Sequence, residues 1–118
     1  MKPNTPDTQY KNFLQELKQK IYSAKSKAIL SANRIMIELY FDIGKDIVAK
    51  QEALGWGKSV VEKMSKDLIG EFGEKSGYST SNLWRMRNFY LSYKENEKLA
   101  QAVREISWGQ NIIIFEKI

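Results

Sequence analysis

The chain has 118 residues, enough for one domain with a real core and too few for two. It carries 19 Lys and Arg against 14 Asp and Glu, a formal net charge of +5 that admits an acidic partner, and no apolar run long enough to span a membrane. It has neither cysteine nor histidine, which excludes disulfides, thiolate metal sites and the Ser–His or Cys–His nucleophile pairs.

In chain order, the polar start MKPNTPDT lacks a hydrophobic signal region, so a bacterial, cytoplasmic protein is expected. Both prolines, Pro3 and Pro6, lie here, and residues 1–7 are expected to be a disordered tail. Asp7 or Thr8 then serves as an N-cap, and residues 8–118 read as a single helical domain. No proline recurs, and glycines cluster at Gly55/Gly57 and Gly70/Gly73/Gly77, with Gly44 and Gly109 alone. That punctuation predicts an all-α fold: a long helical region over 8–54, a helix-turn-helix-like block over 55–94 and short helices over 95–118.

In the first region Tyr10, Leu14, Leu17, Ile21, Ala24 and Ala28 recur at steps of four and three, a narrow stripe suited to a helix–helix seam. The segment Ile35 to Ile43 is apolar nearly all round, as in a bundle centre or a subunit interface. An unbroken helix over the region would be roughly 65–70 Å long at about 1.5 Å per residue. It therefore either breaks near Ser23–Ser31 or runs on and pairs with a second copy as a homodimer.

The block over 55–94 holds seven bases and four acids, the largest excess of the chain. Its first helix, Lys58 to Phe72, puts Val61, Met64, Leu68 and Phe72 on one face and Ser59, Lys63, Lys66 and Gly70 on the other. Gly73 closes it, and Ser79 or Thr80 caps a second helix running to about Tyr93. There Leu83, Met86, Tyr90 and Tyr93 form the predicted core stripe, with Phe89 beside them and Trp84 and Leu91 as an apolar flank for the long helix. Ser81, Arg85, Asn88 and Ser92 align on the far side, and the helix holds no acid. Arginine can donate two bonds to guanine and asparagine can pair with adenine, so this line is the candidate reading face for duplex DNA. Arg87 is a further candidate, and Lys58, Lys63 and Lys66 are candidate phosphate contacts, which position without reading sequence. The turn from Gly73 to Tyr78 is longer than the usual three or four residues of a helix-turn-helix.

After the charged stretch Lys94–Glu97, Leu99 to Ile106 predicts a short helix, and Ser107-Trp108-Gly109 starts another through IIIFEKI. Ile112 to Phe115 alternatively reads as a strand. Trp56 and Trp108, beside glycines, are placed at the bundle ends. Carboxylate pairs such as Asp42/Asp46 and Glu71/Glu74 are surface charge or caps, so neither a metal site nor a cofactor is expected.

Four elements stand in order along the chain: Leu39-Tyr40-Phe41-Asp42-Ile43-Gly44; Gly57-Lys58-Ser59-Val60-Val61 with Leu68 and Glu71-Phe72-Gly73; Ser79 followed by Asn82 to Tyr90; and Ser107-Trp108. Together they resemble the N-terminal domain of the YhcG-type bacterial PDDEXK nuclease family. The likeness covers about residues 9–118. It implies a helical, helix-turn-helix-like, non-catalytic domain that precedes a C-terminal nuclease domain in longer relatives, with DNA as partner. The catalytic aspartate and E-x-K element of the family belong to that other domain. Where the family has histidine two residues after the tryptophan, this chain has Gln110. A competing reading is an assembly module that dimerises, or docks a nuclease, through the long helix without reading DNA.

Overall fold

Beyond its first position, where a missing N–H costs nothing, no proline interrupts the ladder that starts at Pro6. The result is α1 (Pro6–Leu54), a single helix of 49 residues. The structure, a computed structural model, describes residues 6–117, with side chains from Thr8 onward. Ser23, Ser26 and Ser31 all lie inside α1, so the break considered near Ser23–Ser31 is absent. Pro6 and Asp7, assigned to a tail, are instead the first residues of this helix; the rest of that tail lies outside the described residues. By its contacts the chain divides into two units, with the boundary between Ala32 and Asn33.

In the first unit every described side chain from Thr8 to Ala32 is exposed. Nothing within the unit covers Tyr10, Leu14, Leu17 or Ile21, so this part of α1 gains its order from backbone bonds and helix propensity.

The second unit, Asn33–Ile118, holds the core. It contains the last part of α1, then α2 (Lys58–Phe72), α3 (Thr80–Tyr93), α4 (Glu97–Ala102), a 3-10 turn over Val103–Glu105 and α5 (Trp108–Glu116). Caps set these bounds. Gly73, at φ 99, takes a conformation that side-chain-bearing residues avoid and sends its N–H back to the Ile69 carbonyl. The hydroxyl of Ser79 accepts from the Asn82 N–H, and Asn96 does the same for Leu99. Ser107 and Gln110 bond reciprocally in a capping box, which settles the IIIF segment as helix rather than strand.

Helix α3 is central, burying Leu83, Met86, Phe89 and Tyr93. Phe89, expected beside the stripe, is fully buried, whereas Tyr90 is only half-buried. The Phe89 ring meets those of Phe41, Tyr93, Trp108 and Phe115 at centroid distances of 5.2–5.8 Å. One core cluster gathers Ile37, Phe89, Tyr93, Ala100, Val103 and Phe115; a second gathers Tyr40, Ile47, Val61, Leu83 and Met86. Trp108 packs against both, so it joins the two clusters rather than covering an end of the bundle. Phe72, on the face shared with Val61, Met64 and Leu68, is 61% exposed at the last turn of α2, where its ring lies 5.7 Å from that of Tyr78.

Close backbone approach explains Gly44. A Cβ there would lie 2.1 Å from the carbonyl oxygen of Met86, so α1 and α3 cross with main chains in contact. Polar side chains pin the connections. Asn82 donates from Nδ2 to the Gly77 carbonyl and accepts at Oδ1 from the Trp108 indole N–H at 2.8 Å. Buried Ser65 donates to the Tyr78 carbonyl at 2.8 Å, and buried Asn111 donates to the Val103 carbonyl at 2.9 Å. These bonds satisfy carbonyls that helix ends and turns leave without a ladder partner.

Candidate nucleic-acid interface

On α2 the buried Val61 and Ser65 fix the inward side, which turns Ser59, Lys63, Lys66 and Gly70 outward. Lys63 and Lys66 are exposed and have no ion-pair partner among the described residues. Lys58, also exposed, lies 3.9 Å from Glu62 one turn on, a weak contact at such exposure.

On α3 the positions 81, 85, 88 and 92 fall on one line, opposite the buried stripe, as their spacing requires. Ser81, Asn88 and Ser92 are exposed, and Arg85 is half-buried. Arg85 donates from Nε to Glu116 at 2.9 Å, an ion pair with α5 between side chains 41% and 47% exposed. A shallow groove of about 410 Å³ runs beside it, lined by Asn88, Leu91, Ser92, Phe115 and Glu116. Ser92 gives its hydroxyl proton to the Asn88 carbonyl four residues back.

Arg87 stands apart from that line. Its guanidinium lies 5.6 Å from the Trp84 ring centroid, and its Nε donates to Gln51 Oε1 of α1 at 2.6 Å. A second nitrogen donates to Asn88 Oδ1 at 3.3 Å. Arg87 therefore braces Trp84, which packs on the Tyr40 and Ile47 cluster, and it also orients Asn88. The sequence signalled Arg85, Asn88 and the lysines but not their counter-groups. Glu116 is 31 residues from Arg85 and Gln51 is 36 from Arg87, so no local pattern announces either pairing.

Elsewhere Arg34 donates to both carboxylate oxygens of Glu105 at 3.1 and 3.0 Å, and the hydrogen bond to Glu105 raises the arginine pKa. Asp42 and Asp46 are exposed, and Glu38 lies 4.0 Å from Arg104. Among the described residues, no group of three or more acidic side chains gathers where it could hold a metal ion. No helix there is long and apolar enough to cross a membrane.

An all-helical domain with a cationic, acid-free central helix and a separate apolar N-terminal face is thus the class this chain defines. It belongs to the family of the DUF1016 N-terminal domain, whose model matches residues 16–118. It is similar to the putative nuclease YhcG of Escherichia coli (strain K12), at 33% identity over 79 residues, covering 64% of this chain and 20% of that protein. The chain thus spans about a fifth of the length of that curated relative. No solved structure matches it.

The residues that carry the family resemblance have structural work here. Gly44 permits the helix crossing, Ser79 and Ser107 cap, Asn82 and Trp108 bond to each other, and Leu83, Met86 and Phe89 are core. Gln110 supplies the acceptor that completes the α5 cap.

Proposed function

We propose that this chain is a non-catalytic, DNA-binding module of a nuclease-associated protein and acts on duplex DNA in the bacterial cytoplasm. The observation that carries this reading is the acid-free line Ser81, Arg85, Asn88 and Ser92 on α3, opposite its buried stripe; the outward Lys63 and Lys66 of α2, unpaired among the described residues, add to it. In this reading Lys58, Lys63 and Lys66 contact phosphates and fix the register, while Arg85 and Asn88 reach base edges. Arg85 must leave Glu116 to do so. An exposed ion pair contributes only about 0.2–1 kcal/mol, which a phosphate or a guanine edge readily replaces. Arg87 stays on Gln51 and Trp84 and acts by holding Asn88. The description of the relative as a putative nuclease supports DNA as partner; in this reading cutting belongs to a part of such a relative that this chain does not cover. Fluorescence anisotropy with labelled duplex at low salt tests the reading, and absence of binding there refutes it.

A second reading, an assembly module, is favoured by one observation: the apolar stripe of the first unit is uncovered. A homodimer through α1 and docking of a nuclease domain are its two simplest forms.

A further inference from the structure

We propose that the face of α1 from Tyr10 to Ser31 is a coiled-coil docking surface for an acidic amphipathic helix, not for a second copy of itself. The inference rests on the assembly reading, narrows it, and is independent of DNA binding by α3.

The seam is exposed along its whole length, with Tyr10 at 54% and Ile21 at 52%. Its apolar members step by four and three through Tyr10, Leu14, Leu17, Ile21, Ala24 and Ala28, and Ser31 continues the register. A strict seven-residue repeat suits a supercoiled partner helix better than the broader face that a globular core requires. With Leu14, Ile21 and Ala28 at the a positions, Tyr10, Leu17, Ala24 and Ser31 occupy d. The flanking e positions are then Lys11, Lys18 and Lys25, and the g positions after Phe13 are Lys20 and Lys27. The segment's one acid beyond Thr8, Glu16, lies at c, away from the seam. Lys18, Lys20, Lys25 and Lys27 have no ion-pair partner among the described residues.

Charge selects the occupant. In a parallel pair of copies g meets e, and in an antiparallel pair e meets e and g meets g. Both directions set lysine against lysine, so a second copy is repelled. A helix with Glu or Asp at its own e and g positions converts every such contact into an attraction and steers the encounter. The small residues Ala24, Ala28 and Ser31 let a partner backbone approach closely. Phe13, Tyr22, Ile29 and Leu30 are exposed outside the seam and widen the apolar surface, so a lipid surface is the competitor that phosphatidylserine vesicles score; a phosphate backbone has no use for a seam of Leu and Ile.

The test uses the full chain and two synthetic four-heptad peptides with leucine at a and d, one with glutamate and one with lysine at e and g. The glutamate peptide should bind, with affinity at least about tenfold above the lysine peptide at low salt. The combined Lys18→Glu, Lys20→Glu, Lys25→Glu and Lys27→Glu variant should invert that preference. Ile21→Asp should abolish binding while the near-ultraviolet signal of the Trp108 cluster stays unchanged. Failure of the glutamate peptide to bind, or equal binding of both peptides, overturns the proposal. So does a dimer of the unmodified chain that Ile21→Asp dissociates, which assigns the seam to a second copy. Binding of phosphatidylserine vesicles or duplex DNA that the lysine reversal abolishes, without any peptide preference, overturns it too. Loss of DNA binding in Arg85→Ala with peptide binding intact scores the two readings separately.

Discussion

The indole N–H of Trp108 meets Oδ1 of Asn82 at 2.8 Å, while the amide of the same asparagine holds the Gly77 carbonyl. One side chain thus ties the start of α5 to the start of α3 and to the turn before it. Asn82→Leu should leave the indole N–H and that carbonyl without partners, destabilising the protein by about 2–3 kcal/mol in all, since both bonds are only part-buried and each group falls in the lower half of about 1–3 kcal/mol. Urea unfolding followed by tryptophan fluorescence measures it. A change within about 0.5 kcal/mol, as expected of an ordinary surface site, would show that the junction is not buried in solution.

Gly44→Ala tests the helix crossing. The added methyl would overlap the Met86 carbonyl, so α1 and α3 must separate. A loss of about 1–3 kcal/mol is expected, despite the intrinsic helix preference for alanine. A gain in melting temperature would place the two helices further apart than described.

Arg85 and Glu116 give opposite expectations for DNA. Arg85→Ala should weaken duplex binding by about 1–3 kcal/mol if it reads a base. Glu116→Gln should strengthen binding, because it frees Arg85 and removes a like charge near the phosphates. Lys63→Ala and Lys66→Ala should weaken binding evenly across sequences and each reduce the salt slope by about 1. Equal losses for Arg85→Ala, Lys63→Ala and Lys66→Ala on every duplex would favour a diffuse electrostatic contact over readout.

The buried Tyr93 hydroxyl makes no hydrogen bond among the described residues, and burial raises its pKa above the ordinary 10. Tyr40 is raised as well, by burial first and then by Tyr78. A raised folded-state pKa means that the native state holds protons that the unfolded chain releases above about pH 10, so stability falls as pH rises beyond that point. Tyr93→Phe should be neutral to stabilising by about 1 kcal/mol near neutral pH and should blunt the alkaline loss. Thermal melts between neutral and alkaline pH read both effects. A marked destabilisation near neutral pH would reveal a partner for the hydroxyl.

Incubation with supercoiled and branched DNA and magnesium or manganese should leave the substrates intact. Metal-assisted hydrolysis needs converging oxygen ligands, and Asp42 and Asp46 are exposed on α1. Cleavage lost on Asp42→Asn would contradict the binding-module reading.

The helices of the central block were legible because their ends are marked by Gly73 and Ser79, which act through local backbone chemistry. The C-terminal segment was ambiguous on periodicity, since IIIF fits strand and helix alike; the nearby Ser107 and Gln110 decide it. Long-range relations were hidden. Trp108 beside a glycine looked like an end cover, yet Tyr40, Phe89 and Phe115 surround it from three helices. The candidate site was legible as residue types on one helix face but not as a bonded arrangement. The distinction between Arg85 and Arg87 depends on Glu116 and Gln51, which other helices supply.

The exposure of every described side chain from Thr8 to Ala32 has a consequence for exchange kinetics. Amides in that part of α1 are held by the helix ladder alone, so each opens through local fraying with little free energy. Amides around Ile37, Tyr40 and Ile47 are shielded by the core and exchange only through larger openings. Deuterium uptake should therefore change abruptly near Ala32 within one continuous helix, and a partner seated on the seam would move that step toward the N-terminus.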